Sequence, residues 1–275
     1  MVSKEILSPA KINLMLRILG QRSDGYHLLQ TCFQLLDWGD LLTFNKITAD
    51  GNNDIRISGF EGLNVENNLI QQAAKVLKPL AQNKSDWLVE VEKQIPLGAG
   101  LGGGSSNAAT TLKFLNDAWQ CQLSEEKLLE LASNLGADVP VFIKGESALA
   151  EGIGDQLTPI KFNTPYILLL FPECHISTAE LFRSPHLFRQ QSPIKPEYLQ
   201  NKSFWINDFM PEVLNKFPLV EKLYKRINLK MDVRLSGSGS TLFVVFNDYL
   251  KAQQSYDFAS KICKAHLVQS WDKAA

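Results

Sequence analysis

Residues 95–109, Ile-Pro-Leu-Gly-Ala-Gly-Leu-Gly-Gly-Gly-Ser-Ser-Asn-Ala-Ala, put five glycines into the seven positions from Gly98 to Gly104. Such a run gives up side-chain packing and carries a high entropic cost of ordering, so the backbone itself must be wanted close to something. Before it, Trp87-Leu88-Val89-Glu90-Val91-Glu92 alternates apolar with charged residues, as a half-buried strand does. After it, Ala108, Leu112, Leu115 and Trp119 recur on one helical face, with Ser105 or Ser106 placed to cap that helix. Strand, glycine loop and helix N-terminus in this order turn free N–H groups and the positive end of a helix dipole into one concave turn. Such a turn suits a polyphosphate.

Other readings of the loop fit less well. A flexible linker has no reason to open onto a well-patterned helix. Gly98, Gly100 and Gly103 match G-x-G-x-x-G, but a dinucleotide site needs a second strand after the helix, ending in an acidic residue about 20 positions on. Ser124-Glu125-Glu126 begins another helix there instead. No Gly-Lys-Ser/Thr follows the glycines, which excludes a Walker loop.

Composition narrows the class further. A chain of 275 residues with 45% hydrophobic and 21% charged residues can build one large domain or two ordinary ones. The formal net charge of −1 gives no basic field for nucleic acid or an acidic membrane. Cys32, Cys121, Cys174 and Cys263 are scattered, which argues against a disulfide or metal framework. No signal-type core follows Met1, and the longest apolar run, around Tyr166–Phe171, is too short to span a bilayer, so a cytoplasmic protein is expected.

In chain order, Glu5 to Leu19 reads as one or two strands interrupted at Pro9, with Lys11 and Asn13 on one face. Arg22-Ser23-Asp24-Gly25-Tyr26-His27 is a turn followed by two groups able to stack and hydrogen-bond. The stretches 33–38 and 40–44 read as paired strands around Gly39. Ile70, Ala73, Ala74 and Leu77 have helical spacing, as do Leu128, Leu131, Ala132 and Leu135 behind a Ser124 cap and before Gly136. Asp138 follows that helix end among apolar neighbours, where a carboxylate ordinarily caps or turns the chain. The pattern restarts near Lys161 with strand 166–171. Thr178 and Phe182 then share a helical face, and Arg183 to Lys202 reads as a surface loop. A helical region from 207 to about 225 precedes a strand, Ser/Gly turn and strand over 232–246, a helix over 252–263 and a short strand near Leu267.

Three segments in this order carry a resemblance. Pro9-Ala10-Lys11-Ile12-Asn13, Pro96-Leu97-Gly98-Ala99-Gly100-Leu101-Gly102-Gly103-Gly104-Ser105-Ser106 and Leu235-Ser236-Gly237-Ser238-Gly239 resemble the three motifs of the galactokinase, homoserine kinase, mevalonate kinase and phosphomevalonate kinase (GHMP) superfamily. Arg22 to His27 and Gly136-Ala137-Asp138-Val139-Pro140 are most similar to the superfamily branch acting on a cytidine-diphosphate-linked methylerythritol. The resemblance implies a two-domain α+β GHMP-kinase-like fold with the active site in the inter-domain cleft. It places a nucleotide-binding domain over 1–160 and a substrate-side α+β domain over 161–275. It implies ATP-dependent phosphorylation of the substrate's 2-hydroxyl, in the non-mevalonate route to isoprenoid precursors, by a monomer or weak homodimer. Within it Lys11 and Asp138 are catalytic, Asp138 as the base and Lys11 beside it. Pro96 to Ser106 bind ATP, with Mg²⁺ bridging the phosphates and Ser105 or Ser106 as candidate ligands. Tyr26 and Phe182 stack on the cytosine, His27 bonds its edge, and Asn13 orients the substrate. Rival readings are a mevalonate or homoserine kinase, a nicotinamide or flavin oxidoreductase, and a nucleotide-binding module without catalysis.

Overall fold

The structure, a computed structural model, describes residues 3–48, 51–59 and 68–271. It is a mixed α+β chain that groups by contacts into two compact units. One comprises Met1–Ala10, Trp38–Pro96 and Gly102–Gly145; the other comprises Lys11–Asp37, Leu97–Leu101 and Glu146–Ala275. Segments return to each unit more than once, whereas the expected domains, 1–160 and 161–275, part at a single point.

The first strand, β1 (Ser3–Gln21), is continuous, so the break expected at Pro9 does not occur. The second, β2 (His27–Ile47), is also continuous and pairs with β1, which corrects the expected hairpin at Gly39. Gly39 is there for closeness: a Cβ at that position would be driven into the backbone of Ser8. Glycine inside a strand commonly marks such an approach.

In the first unit, β3 (Ile55–Ser58) runs parallel to β4 (Asp86–Glu92), and β4 runs antiparallel to the second half of β2, from Leu41 opposite Glu92 to Ile47 opposite Asp86. The helices are α1 (Leu69–Leu77), α2 (Gly103–Ala118), α3 (Glu125–Leu135) and α4 (Val139–Lys144). The expected stripe on α2 is buried in full, as is that of α1, while on α3 only Leu128 and Ala132 are buried. Phe44 from the sheet stacks on Phe114 from α2 with ring centres 3.9 Å apart, and Trp87 meets Phe114 edge-on. Trp119 donates its indole N–H to the Ser85 carbonyl at 2.8 Å, so a large buried ring also satisfies its polar atom.

In the second unit, β5 (Ala148–Glu151) pairs with the first half of β2 and with β6 (Gln156–Pro159). A separate antiparallel sheet has the order β10-β7-β9-β8, built from β7 (Tyr166–Phe171), β8 (Arg234–Leu235), β9 (Leu242–Phe246) and β10 (Lys264–Gln269). Its helices are α5 (Thr178–Phe182), α6 (Met210–Lys216), α7 (Pro218–Asn228) and α8 (Tyr249–Ala259). The helical region expected over 207–225 is therefore two helices, parted at Phe217 ahead of Pro218 at N1, where proline suits a helix start. Leu168, Leu170, Val213, Val220, Ile227 and Val244 form part of one apolar core beneath them.

Candidate active site

Strand periodicity places Lys11 and Asn13 on one face of β1, and the contacts bear that out: Lys11 Nζ donates to Asn13 Oδ1 at 2.6 Å. Lys11 is 3% exposed, with its ammonium 5.3 Å from the centre of the Phe33 ring on β2. The Asn13 amide donates at 2.8 Å to Thr31 Oγ1, which donates at 2.5 Å to the Met15 carbonyl. Lysine only donates, so this chain fixes which way the Asn13 amide points.

The segment Leu97–Leu101 of the glycine loop packs onto the same residues. The Gly100 carbonyl accepts from Lys11 Nζ at 3.2 Å and from Ser236 Oγ at 2.9 Å, while the Lys11 N–H donates to the Leu101 carbonyl at 3.0 Å. Asn13 N–H donates to Ser236 Oγ at 3.2 Å, and Thr241 N–H to the Ala99 carbonyl at 3.2 Å. Three segments separated by tens to hundreds of residues in the chain thus meet at one carbonyl. Gly100 has φ +74°, and a Cβ there would collide with the Ser236 carbonyl oxygen. Gly100→Ala is expected to lose about 1–3 kcal/mol from the backbone angle alone, with a further fall in kcat/KM for ATP as the loop shifts. Chemical denaturation and steady-state kinetics on the one variant test both; unchanged values would mean the loop tolerates displacement.

The remainder of the loop belongs to the first unit. Pro96 ends the approach from β4, and Gly102 is the N-cap of α2, at φ +72°. This corrects the expected Ser105 or Ser106 cap: both lie inside the first turn, and no side chain caps the helix. Gly103, Gly104 and half-buried Ser105 therefore present helix-start N–H groups without a capping side chain, at the positive end of the dipole. Ser106 is buried and accepts from Ser8 Oγ at 2.8 Å, so its hydroxyl is a structural link within this unit.

A residue the sequence did not single out organises this part of the loop. Asp40, fully buried in β2, accepts from the Gln94 and Ile95 N–H groups at 2.9 Å each and from Asn107 Nδ2 at 3.0 Å, and it pairs with Lys93. One carboxylate so ties the approach to the glycines to the first turns of α2. Its partners lie 53–67 positions away in the chain, and no local pattern marks it.

Asp138 is half-buried at the N-cap position of α4, with φ −86° and ψ −11°, and its side chain does not cap that helix. Of the two ordinary roles expected there, it does not cap the helix but does stand in the turn that leads into it, where the Val139 N–H donates to the Gly136 carbonyl at 3.1 Å.

Tyr26, His27 and Phe182 lie in the second unit. Tyr26 is 61% exposed at the turn braced by the Arg22–Asp24 ion pair, and its N–H donates to Asp24 Oδ1 at 3.2 Å. His27 begins β2 and stacks on Phe182, the last residue of α5, with ring centres 4.4 Å apart and planes 21° apart. That face of Phe182 is filled by imidazole, so a base could take it only by moving His27; as found, Phe182 backs the histidine. Burial, then the neighbouring Arg189 cation, holds the His27 pKa below its ordinary value. Arg189, within the expected surface loop, donates to His27 Nε2 at 3.2 Å and to the carbonyls of Phe182, Ser184 and Leu187 at 2.6, 2.8 and 2.9 Å.

Among the described residues no three or more His, Cys, Asp or Glu side chains gather to hold a metal, and no helix is long and apolar enough to cross a membrane. Magnesium does not need such a cluster: it is commonly held by substrate phosphates with one or two protein oxygens. Half-buried Ser105 beside uncapped N–H groups fits that mode.

Residues 68–146 match the family model described as the GHMP kinases N-terminal domain. Mevalonate kinase has the same fold, with a TM-score of 0.67 at 15% identity over 99% of this chain and all of that one. The matched segment contains the helix-start part of the glycine loop, and the fold is the one that GHMP kinases share. A 4-diphosphocytidyl-2-C-methyl-D-erythritol kinase of Acinetobacter baumannii is 44% identical over 96% of this chain and 94% of its own length, and one of a Marinomonas species is 44% identical over 91% and 81%. A crystal structure of 4-(cytidine 5'-diphospho)-2C-methyl-D-erythritol kinase superposes with a TM-score of 0.84 at 29% identity, covering 98% of this chain and all of that one. The chain belongs to the 4-diphosphocytidyl-2-C-methyl-D-erythritol kinase family.

Proposed function

We propose that this chain transfers the γ-phosphoryl group of ATP to the 2-hydroxyl of 4-diphosphocytidyl-2-C-methyl-D-erythritol, one step in making isoprenoid precursors. The observation that carries the reading is the meeting of Lys11 and Ser236 at the Gly100 carbonyl, with Asn13 bonded to both, which seats a buried ammonium against a glycine-rich loop. Family membership supplies the acceptor. A tertiary alcohol is a poor nucleophile, and phosphoryl transfer asks mainly for positioning and charge stabilisation. Asp138 accepts the hydroxyl proton as the oxygen attacks phosphorus and ADP leaves. Lys11 stabilises negative charge on the reacting oxygens, and Asn13 keeps the ammonium aimed.

The N–H groups at the start of α2 and along Pro96 to Ser106 bind the triphosphate. The Ser105 hydroxyl would help hold a Mg²⁺ ion, which would neutralise charge on the phosphates when bound. In the base pocket Tyr26 offers a stacking face worth about 1–3 kcal/mol, His27 offers a hydrogen-bonding edge, and Phe182 supports the imidazole. The test is ADP release by purified protein with Mg-ATP and three alcohols: 4-diphosphocytidyl-2-C-methyl-D-erythritol, mevalonate and homoserine. Turnover with the first alone is expected. Turnover with either of the others in its place would discard the base pocket and keep the phosphate chemistry; none with any would leave a binding module.

A further inference from the structure

The four hydrogen bonds of Arg189 define a piece of machinery that the residues around it do not explain. Its NH1 and NH2 groups hold the chain as it leaves α5 through the carbonyls of Phe182, Ser184 and Leu187. That fixes the guanidinium itself, and its remaining Nε–H meets the side chain of His27. Arginine has five donors and no acceptor, so His27 Nε2 has to be the accepting, unprotonated nitrogen. The imidazole proton then resides on Nδ1, because the bond made by one ring nitrogen decides the state of the other. Phe182 lies flat against the same ring, so the histidine is held by its face and by one edge while its Nδ1 edge takes no protein acceptor among the described residues.

We propose that Arg189 is a specificity-determining positioning residue: by occupying His27 Nε2 it fixes an Nδ1–H donor, which selects a pyrimidine whose ring N3 is an acceptor, cytosine over uracil. The chemistry is one of matching edges. Cytosine presents N3 with a lone pair, and the Nδ1–H donates to it. Uracil presents N3–H at the same place, so two donors face each other and both lose their bonds to water. A histidine with the opposite tautomer would reverse this preference, and one free to exchange tautomers would have little. Burial, and then the cation beside the ring, also oppose a second proton on the imidazole, which keeps the ring in the state that discriminates. The proposal rests on the reading that a cytidine-bearing substrate binds at Tyr26 and His27.

Two measurements test it. The first is the ¹⁵N NMR signature of the His27 imidazole in the wild-type protein at neutral pH, with His27→Gln used for assignment. A protonated Nδ1 and bare Nε2 are expected; a protonated Nε2 overturns the proposal whatever the substrate. The second is steady-state kinetics of wild type, Arg189→Met and Arg189→Lys with the cytidine-diphosphate-linked substrate and its uridine counterpart. The wild type is expected to prefer cytidine by about ten- to hundredfold in kcat/KM, the effect of one unpaired buried donor. Arg189→Met is expected to lose most of that preference, chiefly through a higher KM for the cytidine compound, and Arg189→Lys to recover part of it. A variant that keeps the full ratio, or one whose KM for ATP rises in step with that for the alcohol, overturns the proposal. Should neither pyrimidine compound turn over, the substrate reading fails, and the NMR result alone decides whether Arg189 sets the tautomer.

Discussion

Replacing Asp138 by asparagine is expected to cut kcat by about 10²–10⁴-fold, the range for loss of a general base, while leaving the KM for ATP close to that of the wild type. The exchange keeps the shape and removes the ability to take a proton. The α4 helix keeps its start in this variant, because the Asp138 side chain makes no capping bond to it and Pro140 stands near its N-terminus regardless. The loss should appear at all concentrations of both substrates and should not be relieved by saturating ATP. Turnover retained at the wild-type level would remove Asp138 as the base and return it to an ordinary turn residue.

The second large effect is expected at Asp40, and on stability first. Asp40→Ala removes a fully buried carboxylate and leaves the Gln94 and Ile95 N–H groups, the Asn107 amide and the Lys93 ammonium without their acceptor. Breaking a buried ion pair by deleting one partner costs about 3–5 kcal/mol. Urea denaturation should register most of that as a lower midpoint with an unchanged slope. Asp40→Asn is the informative companion. It retains one oxygen for the two backbone N–H groups, so it should lose about 1–3 kcal/mol and still fold. In that folded variant the KM for ATP should rise more than the KM for the alcohol, since the residue braces the strand leading to the glycines against α2. Equal shifts in both constants would reduce Asp40 to a core residue with no particular tie to the loop.

These two aspartates mark what the sequence made legible and what it hid. Asp138 was visible because it falls inside a contiguous motif, Gly136 to Pro140, and its meaning came from resemblance; position alone pointed to a cap or a turn, and it stands in a turn. Asp40 was invisible because its meaning lies in four donors supplied by other parts of the chain. The same division holds for the elements. The stripes Ile70–Leu77 and Ala108–Trp119, the Ser124 cap and the strand Tyr166–Phe171 follow from local periodicity, and each is found. The glycine at position 39 misled, since a turn and a close approach between strands both call for glycine, and only the neighbour, Ser8, tells them apart. The serines after the loop misled for a related reason. Serine is a good cap, but glycine at positive φ had already started the helix three residues earlier. Arg189 sits in a stretch rich in Pro, Gln and Ser with no periodicity to betray it, and its four acceptors are known only once α5 and β2 are placed.

The bonds of Asp40 carry one more implication, in the statistics of chain closure. Reaching Lys93 closes a loop of 53 residues and reaching Asn107 one of 67. Closure entropy grows only with the logarithm of length, so the longer loop costs only about 0.2 kcal/mol more than the shorter. Once the carboxylate has caught either side, the other arrives within a chain already confined, at far less than the cost of the first capture. The two flanks of the glycine loop are thereby coupled through one carboxylate: holding either side makes the other cheaper to close.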